Sequence, residues 1–481
     1  MEALVGIDAG TSSVKALVVS ALDGRTLGFA QREIEYARRT ARFAEQDARE
    51  MVRRARETAR EAIDKARRRG KADALCVGLS GQMHGGTLFG AGGKALTSIV
   101  TWEDQRATPG AIAEVRRKAG RAIRRSGCGF ATGYLGATIA SLGKADRRKV
   151  RHFLTTTDVM RRGLTGEREF TTDESNASST GLFDTAKRRW NEELFEALEL
   201  SPGIAPRVAG TWEIAGRVTR ESARATGLWE GTPVCTGGGD QPMSMIGAGV
   251  VEEGDGALVN IGTGSQIARK IERYRAEEGL ITFAFPGGGY SILGASLSGG
   301  AAFSWWRSVV EKFSFGELLG LAGETEAGSG GVVFTPLLAG TRARPELRGR
   351  FENLATHHGL KELTRAVLEG IVAELYGYSM KMGNGKDAFL RATGGLSGAQ
   401  VVQEILAGFF RRPVKVRTGI AEAALGAAIV AAVGSGLCKG LVEATRKLSR
   451  KEEWREVRRR PGREYVRLRE KYPVTRMLGA R

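Results

Sequence analysis

Only four cysteines (Cys76, Cys128, Cys235 and Cys438), widely spaced and without a C-x-x-C pair, and four histidines occur in 481 residues. That scarcity argues against a disulfide framework and against a structural zinc site. No run of about 18 uninterrupted apolar residues is present, so no membrane span is expected. Proline is scarce, at 11, and low-complexity tracts are absent. The opening Met1-Glu2-Ala3-Leu4 has no basic n-region, so no secretory leader is expected. Together these absences predict a reducing, cytoplasmic setting. Glycine is the contrast: 67 of 481 residues is about 14%, double the usual ~7%. Without a G-X-Y period this is not collagen, and it predicts tight turns and backbone lying close to ligands.

Charge is the second excess. Lys+Arg number 73 against 54 Asp+Glu, a net +19, which keeps nucleic acid, a membrane surface or a small anion open as partner. The excess gathers in Arg32–Lys71, with 14 basic and 8 acidic residues, and in Lys439–Arg481, with 15 and 6. Acids are interspersed at helix-pairing distances, as in Glu57-Arg60-Glu61 and Glu452-Arg455-Glu456. No homeodomain, RNP, KH or zinc-finger pattern accompanies them. The reading is a solvated helical face, and a nucleic-acid partner is not expected.

Along the chain, Leu4-Val5-Gly6-Ile7 and Val14–Val19 flank Asp8-Ala9-Gly10-Thr11-Ser12 as two strands of a hairpin. The same unit recurs some 250 residues later at Leu258–Ser265, which suggests two like-folded halves facing a shared cleft. Further strands are predicted at Ala74–Ser80, Val234–Thr236 and Tyr290–Ala295. Helices are predicted at Ala48–Arg68, Phe303–Lys312, Leu360–Met382, Ala399–Phe410 and Ala421–Val433. The class is α/β. A short hinge near Gly247–Gly256 divides the halves, and the residues after Gly440 stand apart in composition.

Several segments carry chemistry. Gly6–Lys15 sets Asp8 at a strand end before small residues whose backbone N–H groups and hydroxyls suit phosphate oxygens, with Asp8 suited to hydrated Mg²⁺. It is not a Walker A loop. Gly262-Thr263-Gly264-Ser265 is its partner. Gly394-Gly395-Leu396-Ser397-Gly398 precedes a helix; its glycines let a flat ring approach the backbone, with Ser397 as a helix cap. Thr236-Gly237-Gly238-Gly239-Asp240 ends an apolar strand in an exposed carboxylate, as a general base requires. Ser80-Gly81-Gln82-Met83-His84-Gly85 offers amide and imidazole to sugar hydroxyls. Thr101-Trp102-Glu103-Asp104 adds an aromatic face and acidic acceptors. His152, His357 and His358 read as structural.

In this order the motifs resemble those of the FGGY carbohydrate kinases, over about residues 3–435. Gly6–Lys15 and Asn260–Ser265 look like the family's two phosphate motifs, and Gly394–Ser397 like its adenosine motif. Gly239-Asp240 matches the catalytic Asp, and Ser80–Gly85 resembles the ketose signature, very like that of xylulokinases. Thr171–Ser178 and Glu422–Ala428 match flanking family segments. Thr101–Asp104 and Ala295–Gly300 are similar to the sedoheptulokinase branch. Phe153–Gly166 lacks the usual Pro-Lys before its Asp, and the arginine-rich end has no clear counterpart.

The resemblance implies two ribonuclease-H-like domains of the actin/hexokinase type flanking a cleft. Residues 1–249 would carry the sugar site and first phosphate turn, 250–440 the ATP site, and 441–481 a basic tail. Asp240 would be the base. Gln82, Met83, His84, Trp102, Asp104 and Asp240 would bind the ketose. Gly10, Thr11, Ser12, Lys15, Gly262, Thr263, Gly264, Gly394, Gly395 and Ser397 would bind ATP. Asp8 and Asp240 would hold Mg²⁺ through water. The expected reaction is sedoheptulose to sedoheptulose 7-phosphate, with D-xylulose as alternative, in a monomer or homodimer. A sugar- or nucleotide-sensing protein of this fold would show a damaged base or turn, and none is visible. An actin-like ATPase would have no use for Gln82-Met83-His84.

Overall fold

Burial through Ala3–Ala9 is continuous rather than alternating, because both faces of that strand are covered. This strand, β1 (Glu2–Ala9), turns into β2 (Ser13–Ser20) and β3 (Thr26–Glu33) as an antiparallel meander. Helix α1 (Ala48–Arg68) starts at an Asp47 cap and lays Met51, Ala55, Ala59 and Ala62 on the meander. β4 (Asp73–Gly81) then runs parallel to β1. A long insertion follows, containing α2 (Thr156–Thr165) and α3 (Glu174–Ser179). β5 (Ile214–Arg217), β6 (Pro233–Cys235) and β7 (Gly238–Gly239) complete the sheet, ordered β5-β6-β4-β1-β2-β3 with β7 also on β4. Asp240 opens the next helix, α4 (Asp240–Gly247). The computed structural model describes residues 2–70, 73–341, 344, 346–383, 389–449, 454–457, 464, 465, 468, 469 and 472.

The pattern then repeats. β8 (Ala257–Ile261), β9 (Ser265–Ile271), β10 (Ile281–Ala284) and β11 (Tyr290–Ser296) are joined antiparallel. After α5 (Gly299–Val310) and α6 (Leu360–Lys381), β12 (Leu390–Thr393) lies parallel to β8. Helix α7 (Gln400–Phe410) leads to β13 (Val414–Val416), parallel to β12. The run β3-β2-β1-β4-β6 in one sheet thus matches β11-β9-β8-β12-β13 in the other. Both halves are ribonuclease-H-like, as the repeated strand–turn unit implied.

The last long helix, α8 (Glu422–Gly434), is apolar all round and crosses back to the first half. It rests on β1 and β4, where Gly6 and Gly78 lie side by side in register. A Cβ on Gly6 would overlap the Ala424 carbonyl, and one on Gly78 the Ala427 carbonyl. Gly426 of α8 meets Met243 of α4 just as closely. One apolar cluster therefore runs from Leu4 and Met243 through Leu425 to Leu258 and Leu293, joining both sheets. The division at 249/250 follows the sequence but not the packing, because α8 belongs to the first sheet's cover.

The expectation of a separate tail at 441–481 needs correction for the described residues. Helix α9 (Leu441–Leu448) buries Leu441, Ala444 and Leu448 in the shared cluster, and β14 (Arg455–Val457) pairs with β13. Tyr465, Leu468 and Tyr472 are buried in the second half's core. Apolar residues at these spacings outweigh the basic composition around them. Tyr465 accepts a hydrogen bond from Arg365 at 2.7 Å, and Arg365 pairs with the fully buried Glu369 at 3.0 Å. Burial raises the Glu369 carboxyl pKa from its ordinary value, with Arg365 pulling it back. Arg365→Met is expected to cost about 3–5 kcal/mol, because the buried carboxylate is left without its cation. Urea unfolding checks this; an unchanged midpoint would refute it.

The charge on α1 is arranged as ion pairs along the helix, including Arg53–Glu50 at 2.6 Å, Arg60–Asp64 at 3.0 Å and Lys65–Glu61 at 2.9 Å. No described helix is long and apolar enough to cross a membrane.

Candidate active site

The C-terminal ends of β1, β4 and β7 converge. Asp8 and Ala9 pair with Ser80 and Gly81, which pair in turn with Gly238 and Gly239. Asp240 follows directly, as the first residue of α4. This register brings Asp8 and Asp240 to one sheet edge although 232 positions separate them. Asp8 is buried and accepts a hydrogen bond from Ser80 Oγ at 2.8 Å. Burial raises its carboxyl pKa, while Lys15, opposite it on β2, and Ser80 pull it back. Asp240 is pushed up to about 8, first by burial and then by the Asp8 charge, against which Lys15 acts. Its Oδ1 is buried and has no hydrogen-bond partner. Two like carboxylates at one edge, one with an open acceptor, suit a proton acceptor beside a cation.

The first turn is closed by Gly10 N–H donating to Ser13 O at 3.0 Å, with Ser12 exposed. Thr11 is its junction. Trp102 Nε1 donates to Thr11 Oγ1 at 2.9 Å, and Thr11 Oγ1 donates to Gln82 Oε1 at 3.3 Å. Gln46 closes the ring, donating to Thr11 O at 2.7 Å and accepting from Gln82 Nε2 at 2.6 Å. The expected sugar residues Trp102 and Gln82 are thus wired to the Gly10–Ser13 turn.

His84 sits at φ +76°, and its Nδ1 lies 3.0 Å from Ser179 O. A nitrogen facing a carbonyl oxygen carries the proton, which fixes this ring's orientation. The ring also stacks on Tyr134, 4.3 Å between centroids. Met83 and Asp104 do not fit as sugar ligands. Met83 is buried, its thioether packed where a Gly239 Cβ would sit. Asp104 has no exposed side-chain surface; it grips Arg106 at 2.7 Å and accepts Ala44 N–H at 2.8 Å. Both shape the site from behind.

In the second half, the turn after β8 is closed by Gly262 N–H to Gly264 O at 3.0 Å, leaving Thr263 and Gly264 exposed. Its Gly262 and Thr263 carbonyls accept the Gly300 and Ala301 N–H groups of α5, which anchor it. Asn260 pairs with Thr393, so Gly394 and Gly395 stand next to this turn. Gly394 takes φ +90°, against Ile261 O, and Gly395 is exposed with open space beside it. Ser397 does not cap α7: it is fully buried and donates to Thr393 O at 2.6 Å. The hydroxyl stiffens the turn from inside, and no side chain caps α7.

Reading the sequence residue by residue passed over the supports. Asp173 caps α3, and its Oδ2 accepts Ser175 Oγ at 2.7 Å and Thr211 Oγ1 at 2.9 Å. Ser175 Oγ in turn accepts Gly239 N–H at 2.9 Å, one residue before Asp240. Burial brings Asp173 up to about 6. Glu374, brought to about 7 by burial, likewise accepts Ser296 Oγ at 2.7 Å beneath the start of α5. The family-like segment Thr171–Ser178 marked the first support; nothing in the sequence marked Gln46 or Glu374.

Two ribonuclease-H-like halves, each presenting a Gly-Thr turn, with an aspartate beginning the connecting helix, define a phosphotransferase of the actin/hexokinase type. The chain belongs to the FGGY family of carbohydrate kinases: the N-terminal domain model matches residues 3–247 and the C-terminal domain model residues 207–435. It is accordingly a carbohydrate kinase using ATP. It is 28% identical to a xylulose kinase of Lactococcus lactis, over 77% of this chain and 76% of that one. It is also 28% identical to a glycerol kinase of Leptothrix cholodnii, over 92% and 93%. The structure of a ligand-bound xylulose kinase from Lactobacillus acidophilus shares the fold, with TM-score 0.88, 21% identity, and 99% and 97% of the two chains covered.

Proposed function

We propose that this kinase phosphorylates the terminal hydroxyl of a ketose, D-xylulose in preference to sedoheptulose, with Asp240 as general base. The open Oδ1 of Asp240 beside Asp8 carries the reading. The pentulose replaces the heptulose because the Ser80–Gly85 signature resembles that of xylulokinases, and xylulose kinases are similar to most of the chain. The Trp102 and His84 rings would face the sugar, with Gln82, its amide taken up by Thr11 and Gln46, holding the turn beside them.

The ketose hydroxyl gives its proton to Asp240 Oδ1 while its oxygen attacks the γ-phosphorus of ATP in line. The bond to the bridging oxygen breaks, and ADP carries away the electron pair. Exposed N–H groups around Thr11, Ser12, Thr263 and Gly264 receive phosphate oxygens, and Gly394–Gly395 lies against the adenine side. Among the described residues no cluster of three or more His, Cys, Asp or Glu forms a metal cage. Asp8 and Asp240 nonetheless fit Mg²⁺, which keeps several waters and takes further ligands from the nucleotide. Bound there, Mg²⁺ would offset the phosphate charge and favour ionised carboxylates.

A coupled assay of ADP release against xylulose, ribulose, sedoheptulose and glycerol tests the assignment. The highest kcat/KM is expected for xylulose. A higher value for sedoheptulose or glycerol would overturn the substrate and leave the mechanism; no turnover with any polyol would overturn both.

A further inference from the structure

A cavity of about 550 Å³ opens in the first half between α1 and α2, and none of its lining residues belongs to the two Gly-Thr turns. That is within the ~300–1,000 Å³ range of small-molecule sites. Val52, Phe89 and Val159 give it apolar walls, and Arg49, Arg53, Arg56 and Arg162 surround them. Glu57 is the single acid in the lining, and it pairs with Arg53. Arg56 is taken up by Glu221 at 2.6 Å and Gly163 O at 2.7 Å.

Two cations are left over. Arg49 is exposed and makes no ion pair or hydrogen bond among the described residues. Arg162 stacks over Phe170 at 4.5 Å and Phe89 at 5.9 Å, and its Nη1 is buried without a hydrogen-bond partner. The charge of Glu167 reaches Arg162, but that carboxylate is bonded to Arg161 at 2.8 Å. Thr87 Oγ1, also in the lining, is a second buried atom without a partner. Unmet buried donors beside apolar walls call for an acceptor carried on an apolar body.

The opposite side of α2 holds the strand end that leads to Asp240. Thr157 Oγ1 donates to Gly238 O at 3.2 Å, and Arg161 Nη1 donates to Thr236 O at 2.7 Å. A ligand pressing on Val159 and Arg162 therefore bears on the helix that positions the catalytic turn.

We propose that this cavity binds an amphiphilic organic anion, its phosphate or carboxylate head on Arg162 and Arg49 and its apolar body on Val52, Phe89 and Val159, and that occupancy changes turnover through α2. The second half of this inference rests on Asp240 as the base; the binding half does not. Calorimetric titration of the full chain with hexyl phosphate, hexanoate, hexanol and inorganic phosphate tests it. At least one hexyl anion is expected to saturate below about 1 mM, with hexanol and inorganic phosphate about tenfold weaker or worse. Comparing the two hexyl anions identifies the head. Arg162→Met and the exposed Arg49→Glu are each expected to weaken binding about tenfold, the latter with basal turnover unchanged. Equal binding of hexanol, or full binding by both variants, would overturn the site. Saturation that leaves kcat and KM unmoved would overturn the coupling. Binding by a protein with no kinase activity would separate the site from the catalytic reading.

Discussion

Asp240→Asn is expected to bind ATP and the ketose with near-parental affinity and to turn over about 10²–10⁴-fold more slowly. Asparagine keeps the shape at the start of α4 but has no lone-pair base for the hydroxyl proton. Asp240 Oδ1 is a buried carboxylate oxygen without a hydrogen-bond partner, whereas the neighbouring Asp8 carboxylate is held by Ser80. The same change has a second signature. The folded-state Asp240 pKa is about 8, against 3.8 unfolded, so between roughly those values the folded protein binds the extra proton. Stability contributed by Asp240 is therefore present at low pH and is lost as pH rises toward about 8. Asparagine removes this slope, so the variant is expected to be more stable than the parent at pH 8 and above. Single-turnover kinetics and thermal melts across pH measure both. Parental turnover would sink the base assignment, and an unchanged pH dependence of melting would sink the buried-carboxylate account.

Gly78→Val is expected to be strongly destabilising, by about 3–5 kcal/mol, a large fraction of the stability of an ordinary domain. A side chain on Gly78 meets the Ala427 carbonyl, which is backbone in mid-helix and cannot swing away. Relief requires α8 to lift from β1 and β4. Because Gly426 of α8 packs on Met243 of α4, that movement also disturbs the helix bearing Asp240. Gly110→Ala is the control: open space surrounds it near the start of helix Pro109–Arg125, and alanine there is expected to be neutral or slightly stabilising. Urea midpoints and soluble yield compare the two. A Gly78→Val protein unfolding at the parental midpoint would show that α8 does not depend on this contact.

The C-terminal end is read differently by composition and by packing. Its arginine-rich composition suggests a solvated appendage, but Tyr465, Leu468 and Tyr472 recur at near-helical spacing and fill the core beside Arg365 and Glu369. Three apolar anchors among many cations are hard to see in composition, because the cations dominate any average. The charge on α1 was easier to read, since Glu and Arg at three- and four-residue separations pair within one helix and need no distant partner.

What the sequence determined alone is local or ordered along the chain. The two strand–turn–strand units, the Gly-rich run before Asp240 and the apolar Glu422–Gly434 helix are each short enough for propensity and periodicity to specify them. Their order carried the family and the fold. Tertiary structure decided which of the marked side chains face a ligand. Asp104, Met83 and Ser397 looked like site residues because they sit in site motifs, yet Arg106, the Gly239 backbone and Thr393 O claim them. Asp8 and Asp240 acquire their mutual repulsion only because β1, β4 and β7 end in register. Gln46 matters through its hydrogen bond to the distant Thr11 backbone, and Asp173 through the Thr211 and Ser175 hydroxyls it accepts, Ser175 Oγ in turn accepting the distant Gly239 N–H. A one-dimensional pattern records neighbours along the chain, whereas desolvation and long-range hydrogen bonding depend on what packs from the side.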